Sequence, residues 1–189
     1  NRISNELERQ LETNLIDVAN QNALAISNQL NDNYMLLDSL FAEIKELPGD
    51  ISGNVMLLKG FVKADNLKRL TYCTPDGTAY TTDNVGTNLS YREFFKRGLQ
   101  GKSTITGVLT DALRPDTDEK IIIFSSPMYD DTTNELLGVF GLVYDAEVIN
   151  ASLQVDCFEG QGCSFATNEA GDISIAMGYD SIQLSQNLY

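Results

Sequence analysis

One arginine, two adjacent phenylalanines and two aspartates are the residues best suited to chemistry in this chain. Arg92, Phe94 and Phe95 lie in the run YREFFKRGLQGK, Asp111 lies in LTDA, and Asp145 closes VYD. Tyr80, in YCTPDGTAYTTD, is a sixth candidate. Together these types suit a small zwitterion. An arginine fork holds a carboxylate bidentately, two aspartates can share an ammonium, and an aromatic wall adds a cation–π face and excludes water.

Each residue also has a plainer reading. Arg92 has Glu93 as a surface partner, in a pair worth about 0–1 kcal/mol. Phe94 and Phe95 point about 100° apart on a helix, so at least one belongs in the core. Asp111 suits a strand end or a turn. Asp145 suits a cap for the helix that follows, through the N–H groups of residues 147 and 148. Tyr80 either lines a pocket or packs on its hairpin.

Other chemistry is narrowed by what the chain lacks. It holds no histidine among its 189 residues, which removes Ser-His-Asp and Cys-His nucleophile systems and most zinc sites. The acidic run Asp116, Asp118, Glu119 lacks the glycine and distant glutamate of a calcium loop, and Asp130-Asp131 reads as a turn. No cofactor is expected. A formal charge of −14 argues against nucleic acid and against anionic lipid. Apolar residues make up 42%, enough for a packed core. No stretch is long and apolar enough for a transmembrane helix, and no signal peptide is read. Of the three cysteines, Cys157 and Cys163 bracket the loop FEGQG and either pair or remain free thiols, with Cys73 left over.

The elements that must position these residues follow from periodicity. Leu7, Leu11, Leu15, Ile26, Leu30, Leu37, Phe41 and Ile44 belong to a three- and four-residue pattern that predicts one long helix over 1–50, stopped by Pro48-Gly49. At 1.5 Å per residue it runs about 65–70 Å, which exceeds a small domain and favours a dimer stalk. A short helix is expected around Val55 to Val62. The period then changes to two: Lys68 to Cys73, the turn Pro75-Asp76-Gly77, and Thr78 to Thr82 read as a hairpin. Ser90 to Leu99 reads as a short helix with Ser90 as its cap and Glu93 at the capping-box spacing, closed by Gly101. Three strands follow: Ser103 to Leu109, Lys120 to Met128, and Glu135 to Tyr144. A helix (Ala146 to Leu153) and a second hairpin, Gly162 to Thr167 and Asp172 to Met177, complete the reading.

In this order the long helix, YCTPDGTAYTTD, YREFFKRGLQGK, ITGVLTD, IIIFSSPMYD and LLGVFGLVYDAEVI resemble the double Cache family of bacterial sensor domains. The resemblance implies an α+β fold, with the long N-terminal helix packed on a PAS-like antiparallel five-stranded sheet. It implies a supporting helix over 1–50, a membrane-distal ligand-binding module over 51–153, and the start of a second, incomplete module over 154–189. It places the chain on the extracytoplasmic side of a membrane receptor whose anchoring segments lie outside this sequence. By resemblance, Arg92 takes a ligand carboxylate, Phe94 stands at a tryptophan position with Phe95 as the adjacent aromatic, and Asp111 and Asp145 take an ammonium. Two departures stand out: Phe94 has no indole N–H, and Leu109 sits where a pocket tyrosine is common. The implied partner is an amino acid, amine or small carboxylate, with a homodimer formed through the N-terminal helix. The competing readings are a dimerising spacer without a ligand and a hydrolase using Asp111 and Asp145 as paired carboxylates.

Overall fold

The computed structural model describes residues 2–64, 67–83, 86–152, 163–167 and 173–178. Its helices are α1 (Arg2–Glu46), α2 (Ile51–Asn54), α3 (Lys59–Ala64), α4 (Glu93–Leu99) and α5 (Ala146–Ser152), with a 3-10 turn at Val55–Leu58. Its strands are β1 (Arg69–Cys73), β2 (Thr78–Thr81), β3 (Thr87–Asn88), β4 (Thr104–Ile105), β5 (Leu109–Thr110), β6 (Lys120–Tyr129), β7 (Leu136–Asp145), β8 (Cys163–Thr167) and β9 (Ile173–Gly178). The chain divides into two compact units, Asp32–Ile149 and the combination of Asn1–Asn31 with Asn150–Tyr189.

The unit Asp32–Ile149 is an α+β layer structure. Its sheet runs β3-β2-β1-β7-β6-β4, with β5 also paired to β6, and every pairing is antiparallel. Alternation along β1, β6 and β7 sends successive side chains to opposite faces. One face carries Leu70, Tyr72, Ile122, Phe124, Phe140, Leu142 and Tyr144. The C-terminal part of α1 covers it with the buried side chains Leu37, Leu40, Phe41 and Ile44. Phe41 stacks on Phe140 at 4.9 Å between ring centroids. The Tyr144 hydroxyl donates to Asn33 Oδ1 at 2.5 Å, which ties the helix to β7. The other face carries Cys73, Ile121, Ile123, Val139 and Val143, and these pack with Ala79, Leu89, Phe94 and Phe95. The candidate site lies on this second face.

Three expectations are corrected in detail. The strand expected at Ser103 to Leu109 is two pieces, β4 and β5. Ile105 pairs with Phe124 but Leu109 pairs with Ile121, so four steps on one strand match three on its partner. This is a bulge, which re-aims the side chains beyond it. The sheet therefore counts seven strands rather than five, because the edge is split and β3 is added to the other edge. Ser90 does not cap α4. Its N–H and hydroxyl both bond Asn88 Oδ1, the Arg92 N–H closes a turn onto the Leu89 carbonyl, and Arg92 becomes the N-cap.

The other unit contains the first part of α1 and the antiparallel pair β8-β9. A hairpin is expected at these positions. The Cys157–Cys163 pairing lies outside the described residues, as Cys157 is not among them. Among the described residues, no helix is long and apolar enough to cross a membrane.

Candidate functional site

Helix α4 is the lid of the site, and its position is set by packing. Phe94, Phe95 and Gly98 form its buried face. At Gly98 a Cβ would meet Val139 Cγ2 at 2.5 Å, so only glycine lets α4 rest this closely on β7. The helix ends in a Schellman arrangement: Gly101, at φ +77°, donates to the Gly98 carbonyl, and Lys102 donates to that of Arg97. At the other end Arg92 is extended (φ −75°, ψ 139°). Its side chain therefore leaves the helix path and reaches across to the Thr110 carbonyl, with Nη2 donating at 3.1 Å. Its guanidinium carbon lies 5.2 Å from the Tyr91 ring centre.

Between α4, the sheet and the turn after β5 is a small cavity of about 20 Å³. Arg92 and Phe94 line it from the helix side, and Arg69, Thr71, Ile121, Ile123 and Val143 from the sheet. Leu109, Asp111, Ala112 and Leu113 close the third side. The walls are largely apolar, with a few polar groups converging, which is the usual make-up of a small-molecule site.

The sheet side holds a buried ion pair. Arg69, 2% exposed, meets Asp111, 0% exposed. Nη1 donates to Oδ2 at 2.9 Å and Nη2 to Oδ1 at 2.5 Å. Oδ1 also accepts from the Leu113 N–H at 3.0 Å, which fixes the turn that forms the third wall. Burial alone would push Asp111 up, but the hydrogen bonds and charge of Arg69, helped by the Leu113 N–H and the charge of Lys68, hold its carboxyl below the usual carboxylate range. Arg69 Nε and Thr71 Oγ1 are buried without a hydrogen-bond partner.

The structure brings Arg92, Phe94 and Asp111 to one cavity and leaves three other candidates outside it. Phe95, a position along the helix from Phe94, is buried in the core cluster. Asp145 does not line the cavity; it accepts from Lys68 Nζ at 2.6 Å, and Lys68 also pairs with Glu119 at 2.6 Å. Tyr80 pairs in register with Tyr72 and stacks beside it on the helix-covered face of the sheet, so alternation turns it away from the cavity.

Arg69 and Thr71 were not singled out from the sequence. The signal was present in KRLTYC: period two places Arg69, Thr71 and Cys73 on one strand face, and a charged residue inside a strand that is otherwise buried calls for a partner. The identity of that partner, 42 residues away, follows only from the sheet order.

No family model and no curated protein sequence matches the chain. Solved structures do match in fold. The ligand-binding domain of the Pseudomonas aeruginosa amino acid chemoreceptor PctC, in complex with GABA, superposes with a TM-score of 0.69 at 21% identity, over 88% of this chain and 76% of that one. The sensory domain of the Campylobacter jejuni chemoreceptor Tlp3, with isoleucine bound, gives 0.70 at 14% identity, over 98% and 77%. The ligand-binding domain of the Pseudomonas fluorescens chemoreceptor CtaA, in complex with L-serine, gives 0.73 at 17% identity, over 89% and 73%. The chain thus has the fold of the sensory domains of bacterial chemoreceptors, as the double Cache resemblance implies.

Proposed function

We propose that this chain is the extracytoplasmic sensing module of a bacterial membrane receptor, and that it binds a small molecule in the cavity under α4. The observation that carries this reading is Arg92. It stands on the cavity wall among apolar side chains, and among the described residues it makes no ion pair with an acid. Its guanidinium is held there by the Thr110 carbonyl and the Tyr91 ring, with N–H donors to spare for a ligand. The chemoreceptor domains that share the fold are solved with GABA, isoleucine and serine, which supports small-molecule binding here. Binding would favour one position of α4 over another, and any output follows from that difference in affinity.

A catalytic role is disfavoured by the state of the two aspartates. A hydrolase with paired carboxylates needs one of them raised so that it can give a proton. Asp111 is instead held down by Arg69, and Asp145 is engaged by Lys68. The chain is therefore read as a binding module. Homodimerisation through α1 is part of the proposal, supported by the exposed Leu7, Leu11 and Leu15 at four-residue steps.

A thermal-shift screen against amino acids, amines and small organic acids tests this reading. A compound at 100 times its Kd stabilises by about 2.7 kcal/mol, which is a shift of about 5–10 °C for a chain of this size. The shift is expected to disappear in Arg92→Ala. A panel in which nothing moves the melting curve contradicts the reading and favours the spacer.

A further inference from the structure

We infer that the molecule taken by this cavity is a small aliphatic carboxylic acid without an ammonium group, such as a short branched monocarboxylate or the corresponding 2-oxo acid. The inference rests on the sensing function proposed above and makes its ligand class specific.

The first support is the charge on the cavity wall. Its charged side chains are Arg69, Arg92 and Asp111; Asp111 and, at 3.9 Å, Asp83 compensate Arg69, which leaves Arg92 as the guanidinium without a carboxylate. One anion balances that wall. A zwitterion leaves it unbalanced and places an ammonium near two guanidiniums, where like charges repel.

The second support is the inventory of free donors and acceptors. Arg69 Nε is a donor with no partner on a side chain that is 2% exposed. Thr71 Oγ1 is likewise unpartnered on a side chain 4% exposed, and it projects from the same face of β1 two residues further on. A buried donor left unmade costs about 1–3 kcal/mol, and such groups are rare in folded proteins unless something bonds them. Both line the cavity, as does Arg92. Arg69 Nε, which can only donate, and the Thr71 hydroxyl thus stand on cavity-lining residues beside Arg92, a set of N–H and O–H groups that a carboxylate can satisfy.

The third support is what has become of the acids. Both oxygens of Asp111 accept from Arg69, and Oδ1 accepts from Leu113 as well. Asp145 is bonded to Lys68 at 2.6 Å, and the Thr110 carbonyl is taken by Arg92. An incoming ammonium would compete with a buried arginine for Asp111, whose Oδ1 already accepts twice and whose Oδ2 accepts once. The rest of the wall, Leu89, Leu109, Ile121, Ile123 and Val143, suits a branched aliphatic tail.

A matched titration series decides the matter: 4-methyl-2-oxopentanoate and isovalerate against L-leucine and isoamylamine, each followed by calorimetry on the full chain. The acids are expected to bind, leucine at least about tenfold more weakly, and the amine not detectably, since a charge-assisted hydrogen bond is worth about 1.5–3 kcal/mol. Thr71→Val, which keeps the shape and removes the hydroxyl, is expected to weaken the acids about threefold or more with the melting temperature of the unliganded protein retained. Leucine binding as tightly as the acids or tighter overturns the inference while leaving the cavity as a ligand site. Acid binding unchanged in both Thr71→Val and Arg92→Ala overturns it by placing the acid elsewhere. Silence from all four compounds, and from the wider screen above, removes both the inference and the function beneath it.

Discussion

Arg69 and Asp111 meet end to end inside the protein, guanidinium against carboxylate, both nitrogens to both oxygens, 42 residues apart in sequence. The pair joins the middle of the sheet to the turn after β5 and forms the polar part of the cavity wall. Removing Asp111 leaves the buried Arg69 with only the longer contact to Asp83 at 3.9 Å, which costs about 3–5 kcal/mol. Asp111→Ala is expected to lose that much in urea denaturation. The double variant Arg69→Met, Asp111→Leu is expected to recover most of it, because well-packed apolar residues replace such pairs at little cost. A loss below about 1 kcal/mol for Asp111→Ala would mean that the pair is solvated in solution.

The same pair sets a limit on acid stability. Asp111 titrates below its unfolded value of about 3.9. Its contribution is therefore fully present above that value and is lost as pH falls through the folded one. Stability from this source should stay flat between pH 7 and 5 and decline below about pH 4. Asp76 and Asp130, held down chiefly by hydrogen bonds from Thr74 and Thr133 respectively, contribute in the same direction. Denaturation curves at a series of pH values should show a shallower acid decline in Asp111→Asn than in the parent, from a lower starting stability. Parallel pH curves for the two proteins would contradict the assignment.

Gly98 tests how finely α4 is placed. An added methyl meets Val139 at 2.5 and 2.8 Å, so the helix must lift from β7. Gly98→Ala is expected to cost about 1–3 kcal/mol by overpacking. It should also weaken ligand binding, because the same helix carries Phe94 and begins at Arg92. Adding Val139→Ala should restore both properties. Unchanged affinity in Gly98→Ala would show that the cavity does not depend on how closely α4 approaches the sheet.

Cys73 lies on the cavity face of β1 within the core cluster, and burial pushes its thiol up to about 12. A thiol is nucleophilic only as its thiolate. Cys73 should therefore resist iodoacetamide at pH 8 in the folded protein and react readily in denaturant, with mass spectrometry reading the modified peptide. Rapid labelling of Cys73 without denaturant would indicate that this side of the sheet opens.

The long helix, the first hairpin and the two long strands were legible in the sequence because each is governed by a local period or a turn residue. Leu37, Phe41 and Ile44 mark the buried stripe of α1, and Gly77, at φ +87°, marks the tight turn. What the sequence hid depended on the third dimension. Ser90 has the type and spacing of a cap, but Asn88 holds it and the helix starts later. The bulge between β4 and β5 is marked only by Gly107, an isolated glycine in a strand pattern, and its register follows from the pairing. At the site, Arg92, Phe94 and Asp111 were visible as types suited to a ligand. Arg69 was not, because nothing local names its partner, which follows only from the sheet order that puts β1 between β2 and β7. Tyr80 and Asp145 lie near the site in sequence pattern, but strand alternation turns one away and Lys68 holds the other.

A small acid is expected to bind on the α4 face of the sheet and nowhere else. Methyl-labelled NMR during a titration with 4-methyl-2-oxopentanoate tests it most directly. Saturable shifts are expected for the methyl groups of Leu89, Leu109, Leu113, Ile121, Ile123 and Val143, which line the cavity. Those of Leu37, Ile44 and Leu142, buried on the helix-covered face, should stay in place. Shifts confined to that second face, or no saturable shift at any methyl, would contradict the account.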